Sequence, residues 1–246
     1  MRAATGGTIL AWPLPHPPIA EPQAFSYAAA MSHVTWEFHA GEDTPVTVLP
    51  DGCRDVLIVS APGRPPQTLL TDWDTGPRQV LVAKDTSIRA YRLRPGTVLS
   101  SDMLRAIAAT PEDPDPVLLA AAERSAEMAA LISLLAAPSA GLNAVARQAG
   151  VSGRTLQRHF RSQNLPSPDF WRQLGRARAA AIALAGPAPV AEIAAAAGYS
   201  DQAHMTRAFG QWFGASPARL RQDGARLADL LQPGLGNWTG EQISTT

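Results

Sequence analysis

Residues 190–221, VAEIAAAAGYSDQAHMTRAFGQWFGASPARLR, hold the clearest structural pattern of the C-terminal half. Apolar side chains recur in it at helical spacing on both sides of a Gly-Tyr-Ser tripeptide that begins at Gly198. Glycine suits the left-handed residue that ends a helix, and Ser200 can cap the next helix by accepting from free backbone N–H groups. Asp201 then lies at the positive end of that helix dipole. The pattern predicts a helix-turn-helix unit whose second helix begins at Asp201 and ends at Phe213.

Residues 142–161 repeat this pattern. A short apolar helix is followed by a turn at Gly150 and by a second helix in which Leu156 and Phe160 face inward at i,i+4 spacing. Between the two units, the sequence is typical of an unbroken helix over residues 169–185. The chain is therefore expected to hold two helix-turn-helix units joined by one long helix.

The length of that joining helix makes a geometric prediction. A helix of about seventeen residues spans roughly 25 Å at about 1.5 Å per residue. With the width of the flanking units added, the two recognition helices are expected to lie about 34 Å apart, which is one turn of B-DNA. One chain can then place both helices in successive major-groove segments on one face of the duplex.

Charge is unevenly distributed, although the whole chain has a formal net charge of zero. Residues 142–221 carry ten arginines and three acidic residues, a local charge of +7, whereas residues 1–141 carry −5 and residues 222–246 carry −2. An arginine-rich block beside an acidic region is typical of a DNA-binding module fused to a separate domain. An ordinary solvated helical surface is the alternative that charge alone leaves open.

The N-terminal half has the pattern of a mainly-β domain. Short apolar runs separated by proline and glycine turns predict six strands, at residues 32–39, 46–49, 55–59, 68–70, 79–83 and 88–93. Closely spaced short strands favour a small barrel or a sandwich. The predicted fold class is α+β: a mainly-β N-terminal domain followed by an all-α DNA-binding domain.

Domain boundaries follow from the proline-rich run at residues 111–116, which is expected to be a linker because it continues neither a strand nor a helix easily. The predicted division is residues 1–112 for the β-rich sensory or dimerisation domain, 113–232 for the DNA-binding domain and 233–246 for a flexible tail. One strong helix, or two, is expected over residues 117–137.

Two features of the β-rich half suggest chemistry. His33, Glu37 and His39 share one face of a predicted strand, where alternate side chains project together and can bind a metal ion. The favoured interpretation is the solvated face of a half-buried strand, so no metal and no cofactor are expected. Cys53, the only cysteine, excludes an internal disulfide. It is either a sensor thiol beside Arg54 or, the favoured interpretation, a small buried residue.

Targeting signals are not evident. No window approaches eighteen uninterrupted apolar residues, so a membrane span is not expected. Prolines break the short apolar run near the N-terminus, which is unlike a signal peptide. The expected location is the cytoplasm.

Residues 142–221 resemble the C-terminal DNA-binding domain of the AraC/XylS family of bacterial transcriptional regulators. The first unit matches AxxAGVSxRTLQRHFR, residues 146–161, and the second matches IAxxxGYSDQxHxxRxFxxxFGxSPxxxR, residues 193–221. The first 110 residues resemble, more weakly, an N-terminal domain of some family members, through PDGCRDVLI at residues 50–58 and RLRPG at residues 92–96. That resemblance implies a sensory or dimerising domain of undefined ligand.

The resemblance also implies which residues contact DNA. In this family the outward residues of both recognition helices read the bases, and the matching positions are Arg154, Gln157 and Arg158, then Gln202, His204 and Arg207. The chemistry agrees, because arginine can bind guanine O6 and N7 and glutamine can bind adenine N6 and N7. Phosphate contacts are assigned to Arg147, Arg161, Thr155 and Thr206. Double-stranded DNA is the expected partner, and RNA polymerase, a small-molecule effector and a second copy of the chain are further candidates.

The chain departs from the family pattern at four positions. Asn164-Leu165 replaces a common glycine before the linker helix, and Gly210 replaces a frequent lysine. Met205 and Leu220 replace aromatic residues at expected core positions. At Arg176, which matches a position that is usually arginine, a structural ion pair is expected.

The sequence leaves three functions from different classes open. The favoured function is a sequence-specific transcriptional regulator that is not an enzyme. The first alternative is a small β-barrel metal-dependent enzyme with an appended DNA-binding domain. The second is a structural nucleoid protein that binds DNA without sequence preference.

Overall fold

The computed structural model of the chain describes residues 32–138 and 141–238. Its N-terminal part consists of antiparallel strands, which are β1 His33–Ala40, β2 Thr44–Val48, β3 Asp55–Ser60, β4 Gln67–Leu70, β5 Arg78–Val82 and β6 Thr86–Leu93. Each strand coincides with one of the predicted strands to within a few residues, because local alternation and turn residues fix it. The segment on which the signal-peptide argument rests lies outside the described residues.

The strands form two sheets. One has four strands in the order β1-β6-β3-β4, and the other pairs β2 with β5. Apolar side chains of both sheets line a single cavity, including Trp36 and Phe38 from the larger sheet and Val46 and Val80 from the smaller one. The mainly-β character of the N-terminal region is therefore confirmed, with two sheets that face each other as in a sandwich.

The two short N-terminal motifs meet in one half-buried ion cluster. Arg92, from RLRPG, lies 3.2 Å from Asp51 and 3.4 Å from Asp55, both from PDGCRDVLI. The indole N–H of Trp36 also donates to Asp55. These contacts hold the loop after β2 and the start of β3 against β6, since charges with little access to water require close partners of opposite sign.

The helices that follow are α1 Ser101–Ala109, α2 Asp115–Arg124, α3 Ala126–Ala136, α4 Leu142–Gln148, α5 Gly153–Ser162, α6 Pro168–Ala183, α7 Val190–Ala196, α8 Gln202–Phe213, α9 Pro217–Gln222 and α10 Gly224–Leu231. Two helix-turn-helix units, α4–α5 and α7–α8, are joined by the long helix α6, as predicted. No described helix has both the length and the apolar character that crossing a lipid bilayer requires.

The apolar interior of the described residues forms two clusters, with α2 in the first and α3 in the second. Leu118 and Ala121 of α2 pack in one cluster with Val56 and Tyr91 of the large sheet. The second cluster contains α3 and all later helices. The end of the proline-rich run, expected to be a linker, forms the start of α2, where Pro114 and Pro116 are well tolerated. The helical segment 117–137 is two helices that meet at Ser125.

The linker helix α6 lies at the centre of the second cluster. Trp171, Leu174 and Ala177 are fully buried. At Gly175 the helix approaches α3 so closely that an added Cβ would lie 2.5 Å from the Cα of Ala136. Only glycine allows this packing without a shift of one helix.

The segment after α10, part of the stretch expected to be a flexible tail, makes specific contacts up to Asn237. Leu235 is 2% exposed and its N–H donates to the carbonyl of Asp51 at 2.7 Å. The guanidinium of Arg178, on α6, donates to the carbonyls of Gln232 and Leu235 and to the side chain of Asn237. This segment therefore joins the β-rich part to the linker helix.

Candidate nucleic-acid interface

The two helix-turn-helix units share one turn geometry. Gly150 and Gly198, which follow α4 and α7, have left-handed φ values of 68° and 74°. The N–H of Val151 donates to the carbonyl of Ala146, and that of Tyr199 to the carbonyl of Ala194, each at 2.9 Å. Both are Schellman motifs, in which the left-handed residue lets the chain reverse after the helix. The predicted turns are confirmed in both units.

The recognition helices are capped in different ways. Ser152 caps α5 by accepting from the N–H of Thr155. The cap of α8 is Asp201, whose carboxylate accepts from the N–H of His204 at 2.6 Å. The proposal that Ser200 caps this helix is therefore wrong. The hydroxyl of Ser200 instead contacts the Asp201 carboxylate and the Nδ1 of His204.

The first recognition helix, α5, presents its predicted base readers to solvent. Leu156 and Phe160 are buried against the core, as their spacing predicts. Arg154, Gln157 and Arg158 are exposed on the opposite side. No side-chain hydrogen bond or ion pair to another described residue holds any of the three. Their donors are therefore free to bind a ligand at this surface.

The second recognition helix, α8, is less uniform. Gln202 and Arg207 are exposed, whereas His204 is half-buried. The ring of His204 lies edge-to-face on Tyr199, with 5.2 Å between ring centroids, and contacts the hydroxyl of Ser200. His204 thus makes contacts within its own turn that limit its freedom to bind DNA, whereas the side chains of Gln202 and Arg207 are exposed on α8. Met205 is fully buried at the expected core position.

The residues assigned to phosphate contacts differ in whether their side chains already make hydrogen bonds. Arg147 and Arg161 are exposed. Thr206 donates its only hydroxyl hydrogen to the carbonyl of Gln202 at 2.9 Å, so it has no donor left for a phosphate in this arrangement. The hydroxyl of Thr155 pairs with that of Ser152.

Arg176 connects the linker helix to the second unit, although not by the predicted ion pair. Its guanidinium lies over the ring of Tyr199, 4.4 Å from the centroid, and donates to the carbonyl of Gly198 at 3.4 Å. This cation–π contact fixes the turn before α8 relative to α6. Burial raises the pKa of the Tyr199 phenol above its ordinary value, and the nearby Arg176 opposes the shift.

Arg221 has a positioning role that the sequence did not reveal. It donates to the carbonyls of Leu184 and Ala188 at 3.2 and 2.6 Å, just after the end of α6. The bond to Leu184, the C-cap of α6, satisfies a carbonyl that a helix end leaves without an intrahelical partner, and the bond to Ala188 holds the loop that leads to α7. The closing arginine of the motif therefore fixes the chain where the linker helix gives way to α7. Its long-range partners carry no local sequence signal.

Entry to the linker helix is preserved despite the missing glycine. Asn164 takes the left-handed conformation itself, with a φ of 54°. The N–H of Leu165 donates to the carbonyl of Phe160, as in the other two turns. Asparagine is one of the few side chains that adopt this conformation at modest cost.

The three candidate metal ligands of β1 do not form a metal site. His33 lies 3.4 Å from Asp115 of α2, Glu37 pairs with Arg89, and His39 contacts Ser87. Among the described residues, no three histidine, cysteine, aspartate or glutamate side chains are grouped so that they could hold a metal ion. The alternative of a metal-dependent enzyme depends on these three side chains as ligands, and each of them instead contacts a different partner.

Cys53 is buried, as the favoured interpretation expects. Burial raises the pKa of its thiol well above the usual value, and Asp51 adds to the shift while Arg92 opposes it. The thiol therefore remains protonated and poorly nucleophilic near neutral pH, which does not suit a sensor cysteine.

Comparison with known proteins finds a family match in the helical region. Residues 145–223 match a family model described as a helix-turn-helix domain, which includes both units and the linker helix. No curated protein shows significant sequence similarity to the chain. Among solved structures, an apo form of a ToxT point variant from Vibrio cholerae matches at 10% identity over 78% of this chain and 93% of that chain, with a TM-score of 0.35. A second ToxT structure from Vibrio cholerae matches at 8% identity over 78% and 98%, with a TM-score of 0.36.

Proposed function

We propose that this chain, whose residues 145–223 form an AraC-type helix-turn-helix domain, is a transcriptional regulator that reads two successive major-groove segments of DNA. The observation that carries the proposal is the outward face of α5. Three side chains able to bind base edges lie there without partners among the described residues, on a helix whose other face is buried. Unpaired, exposed arginine and glutamine side chains of this kind suit direct readout in a major groove.

The rigid spacer supports simultaneous binding by both units. The helix α6 has sixteen residues and a length of about 24 Å. Arg176 ties it to the turn before α8, and Arg221 ties its C-terminal end to the start of the second unit. Two recognition helices held in this way bind DNA as one body, so the ordering cost is small.

Different roles are proposed for the two units. The first carries Arg154, Arg158 and Gln157 on its outward face, whereas Arg207 is the only arginine of α8. The first unit is expected to supply more of the base discrimination, and the second to fix register and add affinity. Arg147 and Arg161 are proposed to bind phosphates, which adds affinity and salt dependence without sequence preference.

The experiment begins with selection of bound duplexes from random DNA by the full chain. Mobility shift at fixed salt then compares the selected duplex with a scrambled one. Arg158→Ala is expected to cost about 1–3 kcal/mol on the selected duplex and clearly less on the scrambled one, since an arginine–guanine contact exists only on the former. Arg219→Ala is the matched control, because Arg219 is an exposed arginine on α9, outside both recognition helices.

Two outcomes would contradict the proposal. Equal losses on both duplexes for Arg158→Ala would remove its base-reading role. Failure to enrich any sequence would favour a nucleoid protein that binds DNA through its backbone alone.

A regulatory role is proposed for the β-rich part, acting through its contact with the helical core. Trp73, in the loop between β4 and β5, lies edge-to-face on Trp171 of α6, with 5.1 Å between ring centroids. Leu49 and Val98 pack against the same helical cluster. A change in the β-rich part therefore has a direct physical route to the linker helix.

A further inference from the structure

The cavity between the two sheets extends to the linker helix. Its volume is about 330 Å³, which lies within the range of small-molecule sites. Its walls are mainly apolar, with Trp36, Phe38, Val46, Val80, Ile88 and Leu230 among them. Arg178 of α6 and Gln232, which follows α10, also line it, so one cavity touches both sheets and the helical domain.

Two of the polar side chains that line the cavity are buried with hydrogen-bonding capacity left unused. Arg178 is 0% exposed and Gln232 is 8% exposed. The Nη1 of Arg178 and the Oε1 of Gln232 have no hydrogen-bond partner among the described residues. Leaving a buried donor and a buried acceptor unpaired costs free energy, and a ligand that pairs both would recover it.

The charges around the cavity are already balanced. Three carboxylates, of Asp51, Asp55 and Asp229, line it together with three guanidinium groups, of Arg78, Arg92 and Arg178. Arg92 pairs with Asp51 and Asp55, whereas Arg78 pairs with Asp74, a carboxylate outside the lining. A charged ligand would lose its hydration and leave one sign in excess, so the balance favours an uncharged one.

We propose that this cavity binds a small, uncharged, largely apolar molecule with one polar end that both accepts and donates a hydrogen bond, such as a carboxamide. Arg178 Nη1 donates to that end and Gln232 Oε1 accepts from it, while the apolar remainder lies between the sheets. This inference rests on the proposed function, since it names the class of effector through which the β-rich part would regulate DNA binding.

Arg178 is the residue that couples the cavity to the DNA-binding domain. Its other nitrogens hold the carbonyls of Gln232 and Leu235, and Leu235 is bonded in turn to Asp51 of the β-rich part. A ligand on Nη1 therefore adds a bond to a guanidinium that joins α6 to the C-terminal segment. Because α6 spaces the recognition helices, occupancy and DNA affinity are thermodynamically linked.

Three probes of equal chain length test the chemistry on the full chain: octanamide, methyl octanoate and octanoate. Calorimetry is expected to show octanamide binding with a Kd of about 0.1–1 mM, a value in keeping with so small a ligand. Methyl octanoate, which cannot donate, and octanoate, which is charged, are each expected to bind about tenfold more weakly. Equal or tighter binding of octanoate, or no binding of octanamide, would overturn the proposal.

Matched variants locate the site. Val80→Trp fills the cavity from β5 and is expected to abolish octanamide binding. Leu81→Trp is its control, because Leu81 is the next residue of the same strand and is 69% exposed. Gln232→Leu keeps the backbone carbonyl that Arg178 uses and is expected to reduce the preference for octanamide over methyl octanoate to less than about twofold. Unchanged binding in Val80→Trp would place the probe elsewhere and refute the assignment.

DNA binding is measured in the same samples, so that the two proposals fail separately. Saturating octanamide is expected to change the affinity for the selected duplex at least about fivefold, the lower end of typical coupling between sites. An unchanged affinity would overturn the regulatory part of the inference. Absence of sequence-specific DNA binding, with octanamide binding intact, would refute the proposed function and leave the ligand assignment standing.

Discussion

Asn164 is a single residue on which the entry to the linker helix depends. Its φ of 54° lies where most L-residues are strained, and the N–H of the next residue uses this reversal to bond back to α5. We expect Asn164→Ala to lower the free energy of unfolding by about 1–2 kcal/mol. Asn164→Gly is expected to change it by less than about 1 kcal/mol, because relief of strain is offset by the greater freedom of glycine in the unfolded chain.

Chemical denaturation of the full chain measures both effects. Gln163→Ala is the control, because Gln163 is the exposed neighbour with an ordinary φ of −93°. If Asn164→Ala were as stable as Gln163→Ala, backbone strain at this position would be unimportant, and the asparagine would need another explanation.

Among the helices, α8 has a cap that makes its stability depend on pH. The bond that Asp201 accepts from the His204 N–H is the main reason that the pKa of this carboxyl is lowered. A lowered pKa means that the ionised cap stabilises the folded state at pH values above the unfolded pKa of about 4. This stabilisation is lost as the pH falls through the pKa that Asp201 has in the folded state.

We therefore expect Asp201→Ala to lower the melting temperature at pH 7, and the difference from the parent chain to shrink as the pH approaches about 3. Asp201→Asn is expected to retain most of the stability at pH 7, since asparagine is also a good cap. Thermal unfolding monitored by circular dichroism over this pH range measures the differences. If Ser200→Ala lowered the melting temperature at pH 7 as much as Asp201→Ala, the cap would have been assigned to the wrong side chain.

Elements whose cause is local were predictable from the sequence. The strands follow from alternation and turn residues, and both helix-turn-helix units follow from apolar spacing around Gly150 and Gly198. The outward positions of Arg154 and Arg158 follow from the inward positions of Leu156 and Phe160. The choice of Asp201 over Ser200 as a cap did not follow, because the two candidates are adjacent and only backbone geometry separates them.

At the scale of the whole molecule, the features that escaped prediction all depend on contacts between distant residues. The helix α2 has an ordinary amphipathic sequence, and its place against the sheet is set by Val56 and Tyr91. Arg178 was one of several arginines in a basic helix, and its burial depends on carbonyls more than fifty residues later. Long-range partners of this kind leave no periodicity in the sequence, so neither the packing of α2 on the sheet nor the contacts of residues 232–237 follow from it.

These contacts predict which fragment folds. Residues 126–238 contain the second apolar cluster apart from the β-rich side chains that pack on it, and they keep every hydrogen-bond acceptor of Arg178. Residues 126–232 lack the carbonyl of Leu235 and the side chain of Asn237. A buried guanidinium that loses two acceptors is costly, and we expect the shorter fragment to be less stable by about 1–3 kcal/mol. Denaturation by urea measures the difference.

The longer fragment is expected to bind the selected duplex, because both recognition helices and α6 are present. Equal stability of the two fragments would mean that Arg178 is satisfied by water once the β-rich part is removed, and the C-terminal segment would then act only in the intact chain.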